Sequence, residues 1–351
     1  MNKTKVKGKS SAIDTVFRFS PIFGAIIGML IAAVFLMLWD INPGTFFAEL
    51  AKGAVGSWRA IGSTLNRAAP YMIVGAATAI AFECGAQNMG QEGQIFMGGL
   101  GAALIALAFP NLPSAVGIPL ALLGGMVLGA AYIVLPTILR LKKGINEMVI
   151  TLVMNYVAPL IVSAMVIGPI ACSTSSSYPR TDDFGDAYVL TSWKDVGHLH
   201  VGIFIALAVA ILAIYFFWYN PTGYKFRVAG FSPMAARTAG ISPAKVFVAG
   251  MLINGAFCGL AGGVELLGRY NNLRSGYAES IGWDSLIVGL LAGLNPKGVI
   301  PAALFFGALY TGISTMQRTL GVPSALLQLI KGCIVIFIMS GTAIQKYHMY
   351  R

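Results

Sequence analysis

"YMIVGAATAIAFECGAQNMGQEGQIFMGGLGAALIALAF", residues 71–109, places a polar row between two lipid-soluble runs. Gln87, Asn88, Gln91, Glu92 and Gln94 lie within a few residues of one another, and Glu83 stands just before them. Two readings are open. If the flanks form one interrupted membrane passage, Glu83, Gln87, Gln91 and Gln94 follow at spacings of four, four and three, on one helical face, and Gly90 and Gly93 break the helix. A broken helix at membrane depth is tolerated only beside protein or a water-filled cavity, so this reading implies a solute pathway. In the other reading the row is a tight cytoplasmic turn between two ordinary spans, and its amides and Glu92 are simply hydrated.

The rest of the chain is equally apolar. Of its 351 residues 57% are hydrophobic and only 11% charged, with a mean hydropathy of +0.76, whereas soluble domains carry about a quarter charged residues. A packed soluble core accounts for one or two apolar runs, but here they recur from Ile22 to Ser340. The fold class expected is an all-α polytopic membrane protein. With about 20 apolar residues needed per passage, we read about ten spans. They lie near 21–39, 68–86, 92–109, 117–139, 147–170, 201–219, 246–267, 283–294, 299–316 and 323–342, the eighth short enough to be re-entrant. Cys84, Cys172, Cys258 and Cys333 are scattered and form no disulfide or zinc pattern.

The net charge of +11 reads as topology, not as affinity for nucleic acid. Lys3, Lys5, Lys7 and Lys9 precede the first span, which shows no cleavage site and is kept as a membrane helix. With that end inside, Arg140, Lys142, Lys143, Lys225, Arg227, Lys245, Lys346 and Arg351 also fall on the inner side, where positive residues are retained. Both termini are therefore expected in the cytoplasm. The organisation that follows is a basic segment 1–20, one transmembrane domain 21–342 and a tail 343–351. Within the domain, 171–200 is an acidic extracellular loop and 220–245 a cytoplasmic one. Glycine pairs of GxxxG spacing, Gly24/Gly28, Gly125/Gly129, Gly259/Gly263 and Gly289/Gly293, are expected to pack helices closely.

Three further features carry chemistry. In "GINEMVITLVMNYVAP", Asn146 and Glu147 open a span and Asn155 lies within it. A bare amide in hydrocarbon costs roughly 2–7 kcal/mol, so Asn155 should meet another helix or a cavity, while Asn146 also suits a helix N-cap. Asn254, Glu265 and Asp284 raise the same question, the last two near an outer end where hydration would serve. In "GYKFRVAGFSPMAARTAGISPAKVFVAG", Ser232 suits an N-cap, Pro233 the first helical position and Gly240 the C-terminal cap. They define a helix of about two turns, carrying Arg237, that is too short to stand alone and should dock on something or lie at the lipid interface. Ser242-Pro243 starts the next span in the same way.

This loop resembles the coupling loop of ABC-importer permeases, through Gly223, Arg227, Gly230, Pro233, Ala235, Ala236, Gly240 and Ile241. Asn88, Gly90, Glu92, Gly93 and Gln94 are similar to the N-x-G-x-E-G-Q signature of the branched-chain-type family serving simple sugars and nucleosides. Asn146, Glu147, Thr151, Leu152, Asn155 and Tyr156 resemble an element of its nucleoside branch, and Gly282, Trp283, Asp284, Asn295, Pro296 and Gly298 match a further one. Gln87 and Gln91 depart from the residues common in relatives, as does Met234.

The resemblance implies a permease subunit of an importer in the bacterial plasma membrane. It also implies partners: a cytoplasmic ABC ATPase, a second and different permease chain, and an extracytoplasmic substrate-binding lipoprotein. The pathway set is Glu83, Gln87, Asn88, Gln91, Glu92, Gln94, Asn146, Glu147, Asn155, Asn254 and Asp284. The coupling set is Arg227, Gly230, Ser232, Pro233, Ala235, Ala236, Arg237 and Gly240. No cofactor is expected in the chain itself, with ATP and Mg held by the ATPase. "KGKS" at Lys7–Ser10 ends like a phosphate loop, but Lys3 replaces the needed glycine. His198 and His200 are expected to be solvated. A rival reading is an ion-coupled secondary transporter using Glu83 and Glu92. A membrane enzyme would need a catalytic constellation, and the sequence offers none.

Overall fold

The computed structural model describes residues 20–38, 41–174, 178–321 and 323–349. The basic segment before Ser20 and Arg351 lie outside the described residues. Thirteen α-helices are found among them: α1 (Ser20–Leu38), α2 (Pro43–Val55), α3 (Trp58–Glu83), α4 (Gln91–Ala108), α5 (Ser114–Lys143), α6 (Glu147–Ile167), α7 (Gly202–Tyr219), α8 (Pro221–Phe231), α9 (Pro233–Thr238), α10 (Pro243–Arg269), α11 (Ile281–Leu291), α12 (Pro296–Leu320) and α13 (Ser324–Met349). Each of the ten expected spans has its helix. α2 and α8 were not foreseen, α3 starts ten residues before the expected boundary at 68, and α13 runs on to Met349.

Five helices, α5, α6, α7, α10 and α12, are long and apolar enough to cross a membrane, or six passages if α1 and α2 form one bent span. The protein is polytopic. On α6 the sides are plain to see: Val149, Val153, Tyr156 and Leu160 are exposed, while Thr151, Asn155, Ala158 and Val162 are buried. Spacings of three and four put each set on one face, so the polar residues point into the bundle and the greasy ones outward to lipid.

The chain divides into two compact units, residues 54–310 and residues 1–53 with 311–351. In the second of these α1 packs along α13, with Gly28 against the Ile334 backbone. The larger unit has α4, α5 and α10 as its centre. There Gly98 of α4, Gly125 and Gly129 of α5, and Gly255 and Gly259 of α10 touch through their backbones, and a Cβ on any of them would meet a neighbouring carbonyl or Cα. Lipid gives helices no hydrophobic reason to associate, so close approach through small residues is what holds such a trio.

The described residues of the segment 178–200 are tied to the helices. Ser192–Trp193 and Leu199–His200 pair as a short antiparallel hairpin, β1 and β2. Phe184, Tyr188 and Leu190 are buried, and the amides of Thr181, Phe184 and Leu190 donate to the carbonyls of Leu273, Asn271 and Leu267. The Tyr188 hydroxyl donates to Phe109 O (2.6 Å). Asn66 of α3 clamps the hairpin, donating to His198 O (2.8 Å) and accepting from His200 N (3.0 Å). His198 is exposed as expected, but His200 is only 2% exposed, because its ring fills the space beside Gly202 and Gly268.

Candidate functional site: an interrupted helix and its polar node

Residues Cys84–Gly90 form the break between α3 and α4. α3 and α4 do not pack along one another, as two arms of a tight hairpin would. Four of the five residues of the polar row are also shielded from water: Asn88, Gln91 and Gln94 are 0 to 1% exposed and Glu92 6%. Asn88, Gln91, Glu92 and Gln94 are therefore packed against protein and not simply hydrated. The single-face reading needs correction. The helix stops at Glu83 and resumes at Gln91, so the four residues share no helical face, and Gln87 is exposed while Glu83 is half-buried. Gly93 lies inside α4 and does not break it.

Every backbone polar group freed by a break must find a partner. Here side chains supply many of them. Asn155 bridges the break, accepting from Gly93 N (2.9 Å) and donating to Met89 O (2.7 Å). Thr151 accepts from Met89 N (3.1 Å), Asn88 Oδ1 from Gly90 N (2.8 Å), and Gln91 donates to Asn88 O (2.8 Å). The amides then pair with each other. Asn88 Nδ2 donates to Gln94 Oε1 (2.9 Å) and to Asn254 Oδ1 of α10 (2.7 Å). Two buried atoms of this node have no partner, the acceptor Gln91 Oε1 and the donor Asn254 Nδ2.

Glu92 turns the other way. Its carboxylate oxygens accept from Ser280 N and Gly282 N (2.6 Å each), so it caps the amino end of α11, where orphan N–H groups and the helix dipole favour an anion.

Asp284, Glu265 and Arg67 form a second cluster, and hydration does not explain it. Arg67 is 6% exposed, Glu265 1% and Asp284 3%. Arg67 Nη1 stands 3.4 Å from Glu265 Oε1, and its Nε donates to Tyr71 OH (3.1 Å), which donates in turn to Asp284 Oδ2 (2.8 Å). Arg67 also lies 3.8 Å from the centroid of the Tyr310 ring, and Arg269 reaches Glu265 Oε1 at 3.2 Å. Two buried carboxylates are thus matched by two guanidiniums. Sequence reading missed Arg67 because α3 extends further than its apolar core; its signal was one Arg four residues before Tyr71.

Asn146 and Glu147 stay apart from the node. Asn146 is exposed and caps α6, accepting from Met148 N (2.9 Å), while Glu147 pairs with Arg140 (3.0 Å).

In the 220–245 segment, Ser232 accepts from Ala235 N (3.2 Å), Pro233 takes the first helical position, and Gly240 sits at φ +73°. α9 buries only Ala236 and presents Met234, Ala235 and Arg237. Beside it, Arg237, Gly240, Ile241, Ser242, Pro243 and Ala244 line a hollow of about 470 Å³. Arg227 folds back instead, its guanidinium 5.1 Å from the ring centroids of both Phe217 and Trp218. Gly230 is pressed against the Glu83 carbonyl and Cys84 Cα, so the loop touches the break itself.

Several helices long and apolar enough to cross a membrane, with a buried amide node stapling the break between α3 and α4, define a multi-pass membrane protein. Residues 60–339 match the family described as branched-chain amino acid transport system / permease component, and the chain belongs to that family. It is 30% identical to the guanosine ABC transporter permease protein NupP of Bacillus subtilis (strain 168), over 93% of this chain and 94% of that one. It is 31% identical to the nucleoside ABC transporter permease protein NupB of Lactococcus lactis subsp. cremoris (strain MG1363), over 91% and 89%. A glucose ABC transporter permease protein of Haloferax volcanii, TsgB13, is 26% identical over 94% and 89%.

Proposed function

We propose that the chain is one membrane subunit of an ATP-driven importer that moves a nucleoside, or a related simple sugar, inward by alternating access. The transport role follows from the family. The substrate class is supported by the names of the similar relatives and by the node, whose unpaired acceptor on Gln91 and donor on Asn254 suit base edges and sugar hydroxyls. Gln91 is the wall residue we place first. Asn88, Gln94, Asn155 and Asn254 hold the break that must open for solute to pass, with Glu83, Gln87 and Asp284 on the route to either side.

The remaining organisation belongs to the same reading. Ten passages bring both termini to the cytoplasm, with 171–200 outside facing a substrate-binding lipoprotein. The exposed α9 and the hollow beside it meet a cytoplasmic ATPase that holds ATP and Mg, and a second permease chain completes the pore. Glu92 is engaged as a helix cap, which favours a structural role for it over the ion site of a secondary transporter.

The test is uptake in cells co-expressing the chain with its cognate ATPase, second permease and binding lipoprotein. Labelled guanosine should accumulate and be competed by other nucleosides. Gln91→Leu should depress uptake while the ATPase still co-purifies. Uptake of ribose with indifference to nucleosides would move the chain to the sugar branch, and full transport by Gln91→Leu would remove that residue from the wall.

A further inference from the structure

The short helix α9 is flanked by two arms, α8 before it and α10 after it, and both arms touch the helix break. From α8, Gly230 lies against the Glu83 carbonyl and the Cys84 Cα so closely that no Cβ would fit. From α10, Gly250 lies against Cys84 Sγ, and Asn254 accepts from Asn88 (2.7 Å). The break passes these contacts on, through Glu92 to the amino end of α11 and through Asn155 to α6. Packed backbone contacts of this kind do not stretch; they transmit displacement or separate.

We propose that Gly230 is a positioning residue of the transport cycle: its backbone contact with Glu83 and Cys84 makes the coupling segment and the helix break move as one body, so displacement of α9 opens the amide node. Neither end of this link is new as a motif, but the contact joins two sequence elements more than a hundred residues apart, and nothing in their patterns connects them. The inference rests on α9 being where the ATPase meets the chain.

The experiment uses the full complex, ATPase and binding protein included, in proteoliposomes. Gly230→Ala pries the two backbones apart. The ATPase should remain bound and hydrolyse ATP, while substrate moved per ATP falls about tenfold, within the range typical of coupled sites. A defect of folding alone would lower transport and hydrolysis together and leave their ratio unchanged. An unchanged ratio in Gly230→Ala overturns the proposal. If that variant does not assemble, nitroxide labels at Gln87→Cys and Met234→Cys in the otherwise native complex decide it. Their separation should stay within about 2 Å between nucleotide-free and ATP-bound states, the scale of shifts inside a packed body. A larger change overturns the link. An ATPase that fails to bind even the unaltered chain refutes the functional reading itself, a result distinct from either of these.

Discussion

Removing the Glu265 carboxylate should destabilise the protein more than removing the whole Arg67–Glu265 pair. Glu265→Leu leaves Arg67 buried at 6% exposure beside the aromatic Tyr71 and Tyr310, with Asp284 more distant and the like charge of Arg269 near. At 3.4 Å and an effective dielectric of about 20, the gross attraction lost is ~5 kcal/mol. Stranding one member of a buried pair typically costs about 3–5 kcal/mol, and we expect Glu265→Leu in that range. Arg67→Met should cost less, about 2–3 kcal/mol, because Glu265 keeps half-exposed Arg269 at 3.2 Å. The double variant buries no stranded charge from this pair and leaves the Tyr71–Asp284 hydrogen bond intact. It should recover to within about 1–2 kcal/mol of the parent, since apolar replacements of buried pairs are often near neutral. Reversible unfolding in mixed detergent and SDS micelles, completed as a double-mutant cycle, reads all four states. If the two single costs simply add in the double variant, the pair is not coupled and the reasoning is wrong.

Three shorter tests follow from other contacts. Gly259→Ala drives a Cβ into the Gly125 carbonyl and should cost about 1–3 kcal/mol or more in thermal stability, whereas Gly332→Ala, with open space around it, should be neutral or slightly stabilising; equal shifts would contradict the close-packed trio. Glu92→Gln keeps the shape but loses the charged acceptor for Ser280 and Gly282, so stability should drop by about 1–3 kcal/mol and the α11 amides at 280–284 should exchange faster. Unchanged exchange there would refute the cap. Burial holds the His200 pKa below its ordinary value of 6.5, with Glu265 opposing and Arg269 reinforcing the shift. The unfolded chain therefore takes up the proton first, and stability present above pH 6.5 should fall as pH drops toward the folded pKa. Proteolysis of the 171–200 segment should accelerate in that window, and His200→Gln should flatten the dependence; parallel profiles would exclude His200 as the cause.

The sequence disclosed the helices well, because apolar length is a direct signal of a bilayer passage. It also marked α9, since Ser232, Pro233 and Gly240 are local devices whose partners lie within a turn. What it did not disclose depended on distant partners. The polar row invited a one-face drawing because periodicity assumes an unbroken helix. The actual arrangement is decided by Asn155 and Asn254, which reach the break from α6 and α10. Glu265 passed as a hydrated end residue because its partner Arg67 is 198 positions away. His200 passed as a solvated loop residue because nothing near it in sequence announces the small residues Gly202 and Gly268 that make room for its ring.

The glycine trio also has a consequence for how the protein is made. α4 and α5 leave the ribosome early, with α10 still to be synthesised behind the hairpin segment and four further helices. Until α10 arrives, Gly98 and Gly125 offer an unfilled slot of bare peptide to lipid. The seam between α4 and α5 therefore reaches its final packing only when α10 arrives, so the order of synthesis leaves the most closely packed part of the bundle to be completed late.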